Sequence, residues 1–146
     1  MIAKKKMLRL ERLRALAEEQ HRMDLQVAAS ALRRTEDTLA KNEGHMQDAR
    51  REAGKALQIG SRSELRLAAT QSELAARQRK NLSERQRGQE AALVPLRERY
   101  FLSRQETEQL KLLREALQAE NDRQDDRRSQ MEMDDRYAAA MLRRPR

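Results

Sequence analysis

Leu32, Thr35, Leu39, Asn42, Met46, Ala49, Ala53 and Ala56 recur alternately three and four residues apart. That spacing gathers all of them on one face of an α-helix, and no strand satisfies it, because strand faces repeat every second residue. Upstream, Leu13, Leu16, Gln20, Met23 and Val27 keep the same alternation in a different phase. The two sets join only through a shift of register between Met23 and Leu32, a common irregularity of coiled coils. A first helix is therefore predicted over about residues 3–58. Its seam thins toward the end, where three successive positions are alanine and each buries little area.

The stretch Ile59-Gly60-Ser61-Arg62-Ser63-Glu64 combines a stop and a start. Glycine takes the left-handed conformation that ends a helix. Ser61 followed three residues later by Glu64 is the capping-box pattern that opens the next one. So short a break, at about residues 59–62, favours antiparallel neighbours. The second helix is predicted over about residues 63–142. Leu93, Leu96, Tyr100, Ser103, Thr107, Leu110 and Leu117 form its main seam, with Leu113 flanking it. Leu67 and Leu74 read as the start of an earlier seam, which Leu82 reconnects to the main one. Pro95 removes a backbone donor and crowds the preceding turn, and Gly88 lies nearby, so a kink near Ala91–Val94 or a short break is expected. The expected fold is all-α: one domain over residues 1–146, an antiparallel two-helix coiled-coil hairpin with a longer second helix. At 1.5 Å per residue the helices would measure on the order of 80 and 120 Å. Folding at Gly60 would set Ala3 near the level of Leu117 and leave residues 118–142 as an overhang.

The composition agrees with helices rather than a globular core. Aromatic residues make up 2% of the 146 residues, with one Phe, two Tyr and no Trp, too few to fill the centre of a compact domain. Charged and apolar residues each contribute 38%, the mixture of long helices and coiled coils. The absence of Cys excludes a disulfide framework and a thiolate metal site. No apolar run approaches the length of a bilayer span, and no signal-peptide apolar region follows Lys4–Lys6. The expected location is cytoplasmic.

The net charge of +8 is concentrated at the two ends. Lys4, Lys5, Lys6, Arg9, Arg12 and Arg14 stand against Glu11 alone in residues 1–14, and Arg143, Arg144 and Arg146 close the tail, so residues 15–142 are balanced. A nucleic-acid-binding helix would instead carry a basic stripe along its length. With so few aromatics for base stacking, nucleic acid is not an expected partner.

Catalysis has little to stand on. His21 and His45 lie far apart with no further ligands around either, and no phosphate loop or nucleophile motif is present. Neither a cofactor nor a metal is expected. Acids sit beside bases at helical spacing, as in Glu73–Arg77 and Lys111–Glu115, which makes surface ion pairs. The Arg- and Gln-rich run 77–87 reads as a solvated face, and Tyr100 and Phe101 as core or kink-filling residues. Partner binding has two candidate places. One is the basic start, Lys4, Lys5, Lys6, Arg9 and Arg12. Its readings are a solvated helix end, a docking surface for an acidic protein face, or an anionic membrane surface with Ile2, Met7, Leu8 and Leu10 as apolar company. The other is Tyr137, Met141 and Leu142 at the end of the overhang, near the adaptable Met131 and Met133.

The basic Met1-Ile2 start leading into Leu8-Arg9-Leu10-Glu11-Arg12, and the charged late helix ending in Met133-Asp134-Asp135-Arg136-Tyr137, resemble the FliJ/YscO family. These are the stalk proteins of bacterial type III export machines. The first segment is similar to the injectisome branch and the second to the flagellar branch. Pro95 and the lack of Trp depart from the family's pattern. The resemblance implies a cytoplasmic coiled-coil stalk at a membrane-bound secretion apparatus. It would sit in the centre of a hexameric export ATPase, promote its activity, contact the cytoplasmic domain of the export gate and bind secretion chaperones. It also places protein docking first among the readings of Lys4, Lys5, Lys6, Arg9 and Arg12. The competing expectation is a generic coiled-coil scaffold that dimerises through the same seams without ATPase coupling.

Overall fold

The structure, a computed structural model, describes residues 2–144. Two helices account for nearly all of it: α1, Ile2–Ile59, and α2, Arg62–Leu142. They pack against each other as an all-α hairpin in which the second helix is the longer, and no strand occurs among the described residues. The expected charges at Arg146 lie outside the described residues.

The turn is built from local chemistry. Gly60 takes φ 78°, in the left-handed region that side chains disfavour. That conformation lets the amides of Gly60 and Ser61 both reach back to the carbonyl of Ala56, at 2.9 and 3.1 Å, which closes the last turn of α1. Ser61 then caps α2: its Oγ accepts from the amide of Glu64 at 3.4 Å.

By their contacts the residues fall into two units, Glu19–Leu102 and Met1–Glu18 with Ser103–Arg146. In Glu19–Leu102 the α1 face from His21 through Leu25, Ala28, Leu32, Thr35, Leu39, Asn42, Met46, Ala49 and Ala53 to Ala56 is buried or half-buried. The facing residues on α2 include Leu65, Ala68, Ser72, Ala75, Leu82, Leu93, Leu96 and Tyr100. Close to the turn the seam is almost all alanine, with Ala49, Ala56, Ala68 and Ala75 buried. Leu93, only 3% exposed, is the largest of the well-buried side chains in this unit's seam besides Met46. Antiparallel register is fixed by two cross-helix pairs: Asn42 to Gln78, and Glu43 to Arg79 at 3.3 Å.

Two sequence expectations are corrected by this packing. Met23 and Val27 are exposed, as are Leu13 and Leu16 in the other unit, so the early phase does not form the seam. Counted back along α1, the phase of Leu32 and Thr35 continues without a shift through Ala28, Leu25, His21, Glu18, Arg14, Glu11 and Met7. Polar residues occupy it, which is why it escapes a search for apolar periodicity. Leu67 and Leu74 are likewise exposed, displaced from the seam by Leu65, Ala68, Ser72 and Ala75. Of the two alternatives expected near Ala91–Val94, the short break is absent: α2 is continuous through Pro95. Pro95 stands on the exposed side of α2, so the one carbonyl deprived of its helical donor faces solvent rather than the seam.

The second unit contains the start of α1 and the end of α2. Met7, Glu11, Ala17 and Glu18 are half-buried, against the buried Ser103 and the half-buried Thr107 and Leu110. From Lys111 to Arg144 every residue is exposed, including Leu113 and Leu117 of the expected seam.

Candidate functional site

Both candidate surfaces belong to the unit formed by the start of α1 and the end of α2, and both are accessible. Lys4, Lys5, Lys6, Arg9 and Arg12 are all exposed, and so are Tyr137, Met141 and Leu142. The structure does not bring the two groups together. Tyr137, Met141 and Leu142 lie on the length of α2 beyond the cross-helix pairs of this unit, with Met131 and Met133 also exposed.

The five basic residues separate into two faces. Lys4 lines an open groove of about 660 Å³ together with Ala3, Met7 and Leu8 on one side and Arg114, Leu117, Gln118 and Asp122 on the other. Ala3 therefore stands beside the Leu117 level. Counted at 3.6 residues per turn, Lys5 and Arg9 point away from Met7 and Glu11, with Lys6 and Arg12 flanking them. The leucines divide in the same way. Leu8 belongs to the groove, and Leu10 lines a shallow cleft with Leu110 and Leu113. Leu13 and Leu16, 57% and 68% exposed, share the outward face with Lys5, Lys6, Arg9 and Arg12. The sequence reading assigned these two leucines to a seam and missed them as surface. Their offset of two residues from Glu11 and Arg14, more than half a turn around the helix, is the signal that separates the faces.

Ion pairs hold the two arms of this unit. Arg14 pairs with Glu106, and Arg114 Nε lies 3.0 Å from Glu11 Oε1. The Glu11 oxygen is shielded from solvent, but the Arg114 N–H is not aimed at it, so the contact is an ion pair without a formed hydrogen bond. Glu11 is thereby occupied on the seam side, and the only other acid in residues 1–18, Glu18, is half-buried on that side as well. The outward face of residues 5–16 thus has four cations and no acid.

In the unit Glu19–Leu102, Arg22 donates to Glu19 twice, at 2.6 and 3.0 Å. That hydrogen bond, helped by the charge of the guanidinium, holds the Glu19 carboxyl below the usual range and raises Arg22 above its own. His45 lines two open grooves of this unit with Gln78, one of which Asp48 and Glu52 also line. Among the described residues no group of three or more His, Asp or Glu is placed to hold a metal ion. None of the described helices is long and apolar enough to cross a membrane.

Taken with the seam and the turn, these surfaces define an all-α helical hairpin of the coiled-coil class, with a charged, accessible start and a long exposed end to its second helix. Comparisons with protein-family models, with curated proteins and with solved structures found no match.

Proposed function

We propose that this chain is a stalk component of a bacterial type III secretion export apparatus. It sits in the hexameric export ATPase, promotes its activity, and links it to the cytoplasmic domain of the export gate and to secretion chaperones. The observation that carries this reading is the hairpin with unequal arms, in which α2 continues exposed from Lys111 to Leu142. A two-helix antiparallel coiled coil with one longer arm is the architecture of a rotor shaft, and its balanced charge between basic ends leaves it free to turn inside a ring without locking to one subunit. The likeness of Leu8–Arg12 and Met133–Tyr137 to the FliJ/YscO stalk proteins supplies the particular machine.

The test is the hydrolysis rate of a purified type III export ATPase from the same organism, with and without this protein. Dose-dependent stimulation, lost when Leu93, Leu96 and Leu110 are changed to Asp, establishes the stalk. No stimulation and no co-elution with the ring removes it.

A second reading, a coiled-coil scaffold without ATPase coupling, is favoured by apolar side chains left outside the seams. They include Leu13 and Leu16 in one unit and Met23, Val27, Leu67 and Leu74 in the other. The mass in solution separates the readings: a stalk is a monomeric hairpin, and a scaffold assembles through those side chains.

A further inference from the structure

Residues 5–16 of α1 carry a face that the hairpin does not use. Lys5, Lys6, Arg9 and Arg12 are exposed on it, with no acid among them, and Leu13 and Leu16 follow the cations on the same face. Met7, Glu11 and Arg14 are turned to the opposite side, where Glu11 and Arg14 are engaged by Arg114 and Glu106. Neither of the two grooves described above for this unit is lined by Lys5, Lys6, Arg9, Arg12, Leu13 or Leu16.

We infer that this face is a peripheral docking surface for an anionic lipid bilayer. Two observations choose a bilayer over an acidic protein. First, the cations sit on long, flexible side chains that line neither of those grooves, which suits a deformable layer of headgroups. Second, Leu13 and Leu16 are exposed on the same face as the cations, and a helix lying in the interface buries such apolar side chains just below the headgroups. Anionic headgroups attract each nearby Lys or Arg, and two leucines add modest apolar burial. The result is reversible surface binding, in keeping with the absence of a membrane-crossing helix among those described. The inference does not rest on the export-stalk reading, since it needs only this face.

The experiment is sedimentation of the full chain with vesicles of mixed phosphatidylglycerol and phosphatidylcholine, against vesicles of phosphatidylcholine alone. Binding is expected to the mixed vesicles only and to fall as salt is raised. Changing Lys5, Lys6, Arg9 and Arg12 together to Gln is expected to weaken it by on the order of 1000-fold. The variant Leu13→Ser with Leu16→Ser weakens it further than either single change while leaving the salt response in place. All six residues are exposed, so unchanged circular dichroism certifies the hairpin in each variant. No binding to mixed vesicles, or equal binding by the four-Gln variant, overturns the inference. So does loss of ATPase co-elution in that variant without any vesicle binding by the parent, which would assign the face to an acidic protein. Vesicle binding without ATPase stimulation would leave this inference standing and remove the stalk.

Discussion

Asn42 donates through Nδ2 to Gln78 Oε1 across the seam, at 3.3 Å. Asn42 is almost fully buried and its Oδ1 meets no protein donor, whereas Gln78 is exposed. A polar residue at such a position sets register and partner number at a cost in stability. Replacing Asn42 with Leu removes the unpaired oxygen without stranding Gln78, which turns to solvent. The variant is expected to gain about 1 kcal/mol in thermal or urea unfolding. It is also expected to populate alternative assemblies, seen as a second species in light scattering. A variant that is both less stable and uniquely assembled would show that the amide is a net stabiliser.

Leu93 and Leu13 distinguish the observed seam from the one suggested by apolar spacing. Leu93→Ala is expected to lower the unfolding free energy by about 2–3 kcal/mol, because a well-packed side chain leaves a gap that the helices close only in part. Leu13→Ala, on the exposed face, is expected to change it by less than about 0.5 kcal/mol. Equal losses in urea titrations of the two variants would return Leu13 to a seam.

Gly60→Ala tests the turn. Nothing lies within 4 Å of the position a Cβ would take, so the effect isolates backbone strain at φ 78° from any clash. The expected loss is about 1–2 kcal/mol. Ser61→Ala removes the cap on Glu64 and is expected to cost about 1 kcal/mol. Thermal melts that coincide with the parent for both variants would mean that packing alone sets the reversal.

Arg14 and Glu106 join the two helices but are each half exposed, so solvent screens the pair. A double-mutant cycle with Arg14→Ala and Glu106→Ala is expected to give a coupling of about 0.2–1 kcal/mol at low salt, fading as salt is raised. A larger, salt-insensitive coupling would identify this pair as a principal clamp rather than a trim on the seam.

Glu19 supplies a pH-dependent contribution whose sign follows from its lowered carboxyl. A group with a depressed folded-state value stabilises above its unfolded value, and that contribution disappears as pH falls through the folded one. In a carbon-detected titration Glu19 is expected to protonate below an ordinary glutamate. In Arg22→Ala its midpoint should return to the ordinary range. An unchanged midpoint in that variant would assign the shift to something other than Arg22.

The sequence alone determined the two helices, the reversal at Gly60 and the seams from Leu32 to Ala56 and from Leu93 to Leu110. At these places local propensity, turn chemistry and strong apolar spacing agree. It could not settle the phase of α1 before Leu25. Leu13, Leu16, Met23 and Val27 form the more apolar stripe there, yet the helix turns Glu11, Glu18 and His21 inward. The physical reason is that a helix is rotationally stiff. Once Leu25, Leu32, Leu39 and Met46 fix which side faces the partner, the preceding turns follow the same phase. Burial is shallow enough in a two-helix seam for polar side chains to remain half-exposed and to find ions across it, as Glu11 does with Arg114. Which leucines stay outside, and hence which face of the basic start is free to bind, was decided by tertiary pairing, because single-chain periodicity carries no information about where the partner helix lies.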